Sequence, residues 1–545
     1  MPYGYHGKIL HVDLANAELE VEEPGEGFYR KYVGGSSMGA YYLLEHTPPG
    51  ADPLEPENTL SLMVSAVTGA AISGLSRVAA TAKSPLSGLV GESAAGGFWP
   101  AELKFAGFDG IVIHGKTERP VYLWVHDGEA ELRDGVHLWG KFTADVEDGI
   151  REELGDERIH VLQCGPAGEK GVRFSALINN ANRANGRTGM GAVMASKNLK
   201  AVAVRGRNRP EMADPGTVKA LAKWGGEHLS ESGVAGMSRL GTAGMLVGQS
   251  FVGGLPTRNW DSGTFDEAES VGGERIAETI LKERDTCYGC VVRCKPVVEI
   301  AEGPYRVDAR YGGPEYESLG ALGSYCCVSD LAAVARANQL CNMYGMDTIS
   351  CGGTIAWAMD CFERGLLTLE DTGGIDLHFG NAEALVQIVE MIGEREGFGR
   401  ILGEGSARAA QRLEVGMDLV VATKGQEYPA HMPQVKRSMA LLYTVHPGGA
   451  DHTILEHDPA YVGYPEKMVQ LGLLDPQPSD ALNPEKVHYA VTMQQLLSFI
   501  DSACMCKFVY GPAWQLFDLD RMVAAVQAIT GWNVTLWELM RVGER

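Results

Sequence analysis

Apolar and polar positions alternate with a period of two in short runs over the first ~205 residues. The runs are "KILHVDL" and "ELEVEE" near the start, "GIVIHGK" from Gly110, "VYLWVHDGEAELRDG" from Val121 and "LKAVAVRGR" from Leu199. A period of two belongs to strands with one covered face. The first two runs predict a hairpin joined through Ala15–Ala17, and Asp127–Gly128 supplies the turn of another. After Pro210 the period lengthens to that of helices. Ser329 and Asp330 predict the N-cap of a helix that carries Leu331, Val334, Ala337, Cys341 and Tyr344 on one side and closes at Gly345. Further helices are expected over about 215–231, 349–365, 382–395, 400–413, 485–503 and 519–530. No internal repeat interrupts this order. The expected fold class is α+β: a β-rich N-terminal domain over 1–208, then two mainly α-helical domains over 209–425 and 426–545, with a soft boundary near 415–430.

Length adds that one core cannot serve: 545 residues suggest roughly three or four domains. Charge removes whole classes of partner. A formal net charge of −23 argues against nucleic acid and against an anionic membrane surface. The opening "MPYGYHGKILHVDL" has no apolar core of a signal peptide, and the uncharged run Asn58 to Ser76 is broken by Gly, Ser and Thr. That run reads as buried or cofactor-lining chain rather than a span, and the expected location is cytoplasmic. Eleven cysteines without an export signal fit a reducing compartment. Cys326, Cys327, Cys341, Cys351 and Cys361 lie in apolar, helix-like sequence and are expected to be small buried hydrophobes. The 69 glycines recur in short clusters, which suits either many tight turns or a bulky polar ligand approached closely by backbone.

The stretch "DTCYGCVVRCKP" sets Cys287, Cys290 and Cys294 in the spacing C-x2-C-x3-C. Structural zinc prefers paired C-x2-C units or a nearby histidine, and the tract from Lys295 to Tyr325 has neither. A ferredoxin-type run would carry one more cysteine and a proline directly after the last. A [4Fe–4S] cluster with one remote ligand fits best; zinc and a chance grouping are the alternatives. "DSACMCKF" offers Cys504 and Cys506 as that ligand, and spacing does not choose between them.

In order along most of the chain, from "GKILHVDL" to "DSACMC", the sequence resembles the tungsten-dependent aldehyde:ferredoxin oxidoreductase family. The family's distant D-x-x-G-L-C element becomes Asp501-Ser-Ala-Cys504-Met505-Cys506 here, so the resemblance implies Cys506 as fourth ligand. It further implies a tungsten bis-pterin (molybdenum being the other metal such a cofactor takes) with Mg2+ between the pterin phosphates, set on the N-terminal domain as a base. "SGLSR" brings Arg77 to the position between pterin and cluster. "GESAAGGFW" brings Ala94 and Gly96 to a phosphate-side segment, and "NRANGRTGMGAVM" brings Arg183, Ala184, Gly186 and Arg187 to a second, with the Ala94 and Ala184 carbonyls facing Mg2+. "CNMYGMD" matches the pterin motif D-x-x-G-L-D through Asn342, Gly345, Met346 and Asp347, with Asn342 replacing the usual Asp; Asp501 and Met505 are the counterparts for the other pterin. "GGPEYESLGALGS" implies an active-site carboxylate, Glu317 rather than Glu315, and "GGADHTILEH" a catalytic His452, with His446 and His457 as neighbours.

The implied reaction is oxidation of an aldehyde with water to the carboxylate, with electrons leaving singly through the cluster to ferredoxin or an electron-transfer subunit, in an enzyme expected to be oligomeric. Rival expectations are a tungsten-dependent reductase of aromatic thioesters, a cluster-carrying relay without pterin, and a zinc-stabilised binding protein. "EYPAHMPQVKRS" departs from the D-P-R form common in the family, in the region that lines its substrate channel.

Overall fold

The computed structural model describes residues 2–545. Its N-terminal part is built on two six-stranded sheets. The first runs β2-β1-β6-β3-β4-β5, with β1 at Ile9–Asp13, β2 at Glu18–Glu22, β3 at Leu60–Met63, β4 at Arg77–Lys83, β5 at Val90–Gly96 and β6 at Gly110–His114. The second runs β11-β10-β9-β12-β7-β8, with β7 at Val121–His126, β8 at Glu129–Asp134, β9 at His160–Cys164, β10 at Leu177–Asn179, β11 at Arg183–Asn185 and β12 at Leu199–Arg205. Pairing is antiparallel except β1 with β6 and β12 with β7.

Alternation puts Leu10, Val12, Leu62, Val78 and Ala80 of the first sheet against Leu123, Val125, Leu162, Val202 and Val204 of the second. The expected hairpins form: β1 pairs with β2 and β7 with β8, and Asp127 and Gly128 take the positive φ (45° and 93°) that a tight, twisted turn demands. The outer face of the first sheet carries the helix Gly35–His46. Gly39 lets it approach: a Cβ there would stand 2.4 Å from Thr81 Oγ1.

Periodicity did not foresee that helix, nor Thr143–Leu154 and Met190–Ser196 in the same domain. Met190–Ser196 is buried along nearly its whole length, so no polar face marks it, and it read as part of a glycine-rich loop.

Past residue 210 helices dominate. Leu331–Tyr344 starts at an Asp330 side chain that accepts from Ala332 N and Ala333 N and ends at Gly345, as expected. The helix expected over 400–413 is two, Gly399–Leu402 and Ser406–Leu413, divided where the Glu404 carboxylate turns to Arg173 and Arg395. A short hairpin, β13 at Leu281–Asp285 and β14 at Lys295–Val298, interrupts the helices and frames the cysteine loop.

Two helical cores result. One holds Leu319, Val334, Leu340, Ile355, Trp357 and Ile388, with Cys326, Cys341, Cys351 and Cys361 fully buried in it and Cys327 at its edge. The other holds Tyr489, Met493, Leu497, Met505, Met522 and Val526. The second core also takes Val218, Leu221, Val234 and Met237 from the chain after residue 210, and Tyr29, Met38 and Tyr42 from the N-terminal part. Packing units therefore do not follow the chain continuously. Among the described residues, no single helix is long and apolar enough to cross a membrane.

Candidate redox and cofactor site

The tight loop between β13 and β14 is held by its own backbone: Cys290 N donates to Cys287 O (3.1 Å) and Thr286 Oγ1 to Cys290 O (2.7 Å). Cys506, just past the helix Pro484–Ser502, is brought up by its N–H donating to Gly74 O at 2.8 Å. One cavity is lined by Cys287, Cys290, Cys294 and Cys506 together with Arg77 and Gly96. Gly96 makes room: a Cβ would stand 2.8 Å from Cys287 Sγ. Cys504 turns elsewhere, its Sγ toward Met63 O at 3.5 Å. Burial, then the proximity of Cys287, Glu315, Cys506 and Cys290, pushes the Cys294 thiol well up; burial and Cys506 push Cys290 up to about 12. Four thiols clustered on one cavity are a donor set suited to a shared cationic iron–sulfur core.

Beside this cavity lies a tract of buried polar atoms that no protein group satisfies. Arg183 Nε, Arg187 Nε and Nη1, Asn179 Oδ1 and Nδ2, Asn185 Oδ1, Ser93 Oγ, Ser350 Oγ and Gln426 Oε1 all lack a hydrogen-bond partner. Folded proteins leave few such atoms unpaired. A concentration on the strands and loops where the two arginine- and glycine-rich segments meet the Asp347 motif fits a large ligand rich in donors, acceptors and anionic charge.

The expected cofactor residues fall around this tract with distinct tasks. Arg77 Nη2 donates to Ala94 O (3.0 Å), so one lone pair of the carbonyl expected to face Mg2+ is already engaged. Ala184 sits exposed on β11. Arg183 donates to Asp285 Oδ2 (3.0 Å) and Thr286 O (2.6 Å), tying this loop to the cysteine hairpin. Arg187 Nη2 donates to Glu427 O (2.6 Å), and its Nε lies 3.4 Å from Asp347 Oδ2, with Gly186 next to the same carboxylate. Asp347 caps the helix Thr348–Glu363 through Ile349 N and Ser350 N. Gly345 and Met346 thread against the N-terminal domain, Gly345 O accepting from Ala176 N at 2.8 Å and Met346 bridging to Ser175. Asn342, expected as an acceptor, uses its amide as a donor to Tyr311 O (2.9 Å). Asp501 pairs with Lys507 (2.7 Å), and Met505 is fully buried beside it. Glu92, which no motif singled out, lies in the same group; burial and Asp501 raise its carboxyl to about 7 while Ser36 Oγ donates to it at 2.6 Å.

Arg187 leads from this tract to the second chamber. Its Nη2 also reaches toward Ala450 O (3.4 Å), next to Asp451 and His452. Here Glu317, in the first turn of the helix Tyr316–Leu322, accepts from Ala430 N through Oε2 at 2.8 Å. Its Oε1 is 3.0 Å from His431 Nε2 and 3.4 Å from His452 Nε2, yet neither ring is aimed to hydrogen-bond it, and that buried oxygen is left free. Behind His431, Lys436 Nζ meets His431 Nδ1 (2.8 Å) and His457 Nδ1 (3.3 Å). Burial holds His431 and His457 well below their usual range and brings the Lys436 ammonium down to about 7. Glu315 points away, toward Lys295 (3.1 Å) and Thr242, on the cysteine side. Motif reading therefore missed His431 and Lys436. Their only signal was the departure of "EYPAHMPQVKRS" from the common form.

Two family descriptions cover almost the whole chain: the N-terminal domain of aldehyde ferredoxin oxidoreductase over residues 9–206, and domains 2 and 3 of the same over residues 219–545. The chain belongs to the aldehyde ferredoxin oxidoreductase family. It is 38% identical over 551 residues to the tungsten-containing aldehyde ferredoxin oxidoreductase of Pyrococcus abyssi, spanning all of this chain and 87% of that protein. An aliphatic sulfonate oxidoreductase, WOR-like subunit, of Pyrococcus furiosus is 30% identical over 98% of this chain and 83% of its own length. Among solved structures, the active site complex BamBC of benzoyl coenzyme A reductase, in complex with 1,5-dienoyl-CoA, superposes with a TM-score of 0.84 at 23% identity, covering all of this chain and 88% of that one. At that identity the likeness is one of fold.

Proposed function

We propose that this protein oxidises an aldehyde, with water, to the carboxylate, and passes the two electrons one at a time through a four-cysteine iron–sulfur cluster to ferredoxin or an electron-transfer subunit. The observation that carries the reading is the free, buried Oε1 of Glu317 facing His431 and His452, in a chamber joined through Arg187 to the tract of unsatisfied polar groups. When bound, a tungsten bis-pterin supplies the two-electron redox step at the carbonyl carbon. Arg183, Arg187, Asn185 and Asp347 would hold its polar edges, and Cys287, Cys290, Cys294 and Cys506 would hold the cluster.

The protein's own groups manage the protons. Glu317 Oε2 is occupied by Ala430 N–H, so Oε1 is the atom that takes the proton given up by the attacking water. An ammonium on Lys436 donates to His431 Nδ1, which leaves the ring proton on Nε2. His431 is thereby held as a neutral ring beside Glu317, its Nε2 3.0 Å from Oε1. His452, across the chamber, is the donor to the substrate carbonyl. Tyr316, Tyr325 and Tyr443 are buried around the chamber; their hydroxyls donate to Ala430 O, Tyr428 O and His431 O, which engages their polar ends and leaves apolar rings.

Purified protein should contain tungsten and about four irons per chain, and should reduce an artificial one-electron acceptor with aldehyde as donor. Iron without tungsten would leave a relay; zinc alone would leave a binding protein. Full metal content with no aldehyde turnover, but reduction of an aromatic thioester by a low-potential donor, would replace this reading with the thioester reductase.

A further inference from the structure

Three histidines far apart in sequence meet on the outer face of the first sheet. His11 is on β1 and His114 on the parallel neighbour β6, where the register sets Asp13 opposite His114 and so puts both rings on one face. His46 is the last residue of the helix that covers this face. One ring nitrogen from each lies within 4.8 Å of those of the other two. His11 Nδ1 and His114 Nε2 are 3.3 Å apart. Tetrahedral zinc with nitrogens at about 2.0–2.1 Å has an N–N edge of about 3.3–3.4 Å. The other nitrogen of His11, Nε2, meets Glu22 Oε2 at 2.9 Å, and Tyr42 OH donates to that same oxygen at 2.7 Å. A carboxylate on the far nitrogen is how metal-bound imidazoles are commonly oriented, and here the carboxylate is itself fixed. His46 stacks on Tyr42 (5°, centroids 6.0 Å apart) and is open to solvent.

We propose that His11, His46 and His114 bind a divalent transition-metal cation of the zinc type, with Glu22 orienting His11 and the fourth position open to water. This site is separate from the cysteine cavity and from the Glu317 chamber: it shares no residue with either. Surrounding charge permits it. Lys197, a cation near His114, is directed at Pro56 O and Gly115 O, while Glu22 and Glu45 lie near His46. A bound cation would pin the end of the helix Gly35–His46 to β1 and β6. That helix starts beside the Asp501–Cys504 turn, where a Cβ on Gly35 would stand 2.2 Å from Asp501 O.

The test is zinc titrated into the purified, tungsten- and iron-loaded protein against a chromophoric chelator. The wild type should take up one equivalent with a rise in Tm. His46→Ala, at an exposed position that folding does not need, and His114→Gln should each weaken binding at least tenfold. Glu22→Gln should weaken it by about 10–100-fold. Iron, tungsten and aldehyde turnover without added zinc should be unchanged in His46→Ala, which separates this site from the redox centre. Equal zinc uptake by the wild type and His46→Ala, or no uptake by either, overturns the assignment.

Discussion

At the scale of single residues the chamber turns on one carboxylate oxygen. Glu317→Gln keeps the size and the Ala430 contact but puts an amide where a proton acceptor is needed. Turnover should fall by about 10²–10⁴-fold with tungsten and iron retained, checked by metal content beside aldehyde oxidation. Glu315→Gln should spare this step, since Glu315 serves Lys295 and Thr242, though its closeness to Cys294 makes the cluster's potential the property to measure there. Lys436 gives a pH signature. Its native value, about 7, lies below the ~10.4 of an unfolded lysine. Between those values the unfolded chain holds the extra proton, so stability rises with pH across that window, and the full cost of the buried charge is felt below 7. Lys436→Met removes that cost: its Tm should exceed the wild type's near pH 6, with the gap closing toward pH 10. If Lys436 sets a limb of the pH–rate profile near 7, that limb should be absent from the variant. Glu317 and His452 were legible through short motifs, because a motif fixes register. Lys436 was not: a buried lysine and a solvated one are written with the same letter, and only packing tells them apart.

At the scale of elements, legibility followed amphipathicity. The β1–β2 and β7–β8 hairpins and the helix Leu331–Tyr344 each have one wet face or an explicit cap, and each forms as the pattern predicts. The helix Gly35–His46 is pressed on both sides, by the first sheet through Gly39 and by the turn after Pro484–Ser502 through Gly35, and its glycines read as loop. Its sequence obeys close approach rather than periodicity. The same turn decides the cysteines. Cys504 takes a positive φ of 50° and buries its sulfur against Met63 O, while Cys506, two residues on, reaches the cavity with Cys287, Cys290 and Cys294. Cys506→Ser should lose or degrade the cluster; Cys504→Ser should keep its iron, at a stability cost of about 1–3 kcal/mol for a polar atom set in an apolar pocket. Iron content and the reduced-cluster spectrum of the two variants separate them, and cluster loss confined to Cys504→Ser would reverse the assignment.

For the whole molecule, a net charge of −23 sets the terms on which an acidic electron carrier, of the kind proposed above, would dock. The field of that net charge would repel it. Three arginines around the cysteine loop supply a local answer: Arg293 Nη2 donates to Arg284 O and Arg284 Nη2 to Arg239 O, each at 2.5 Å, which chains them across the hairpin and the helix Ala235–Leu240. Arg239 and Arg293 are exposed, and Arg293 lines the cavity itself. Electrons leaving through Cys294 would emerge beneath this patch, so docking should be steered locally against the field of the rest of the surface. Such steering acts on association rate and is screened within about 10 Å at 0.1 M salt. Arg293→Glu should therefore slow electron transfer to a ferredoxin by about tenfold or more at low ionic strength, with the difference shrinking as salt is raised. The rate with a small artificial acceptor, which needs no docking, should be unchanged, as should the iron content. Stopped-flow reduction of ferredoxin at two salt concentrations distinguishes the cases. A loss equal with both acceptors would mean that the substitution damaged the cluster. No loss with either would place the docking surface elsewhere, on another subunit or another face of the chain.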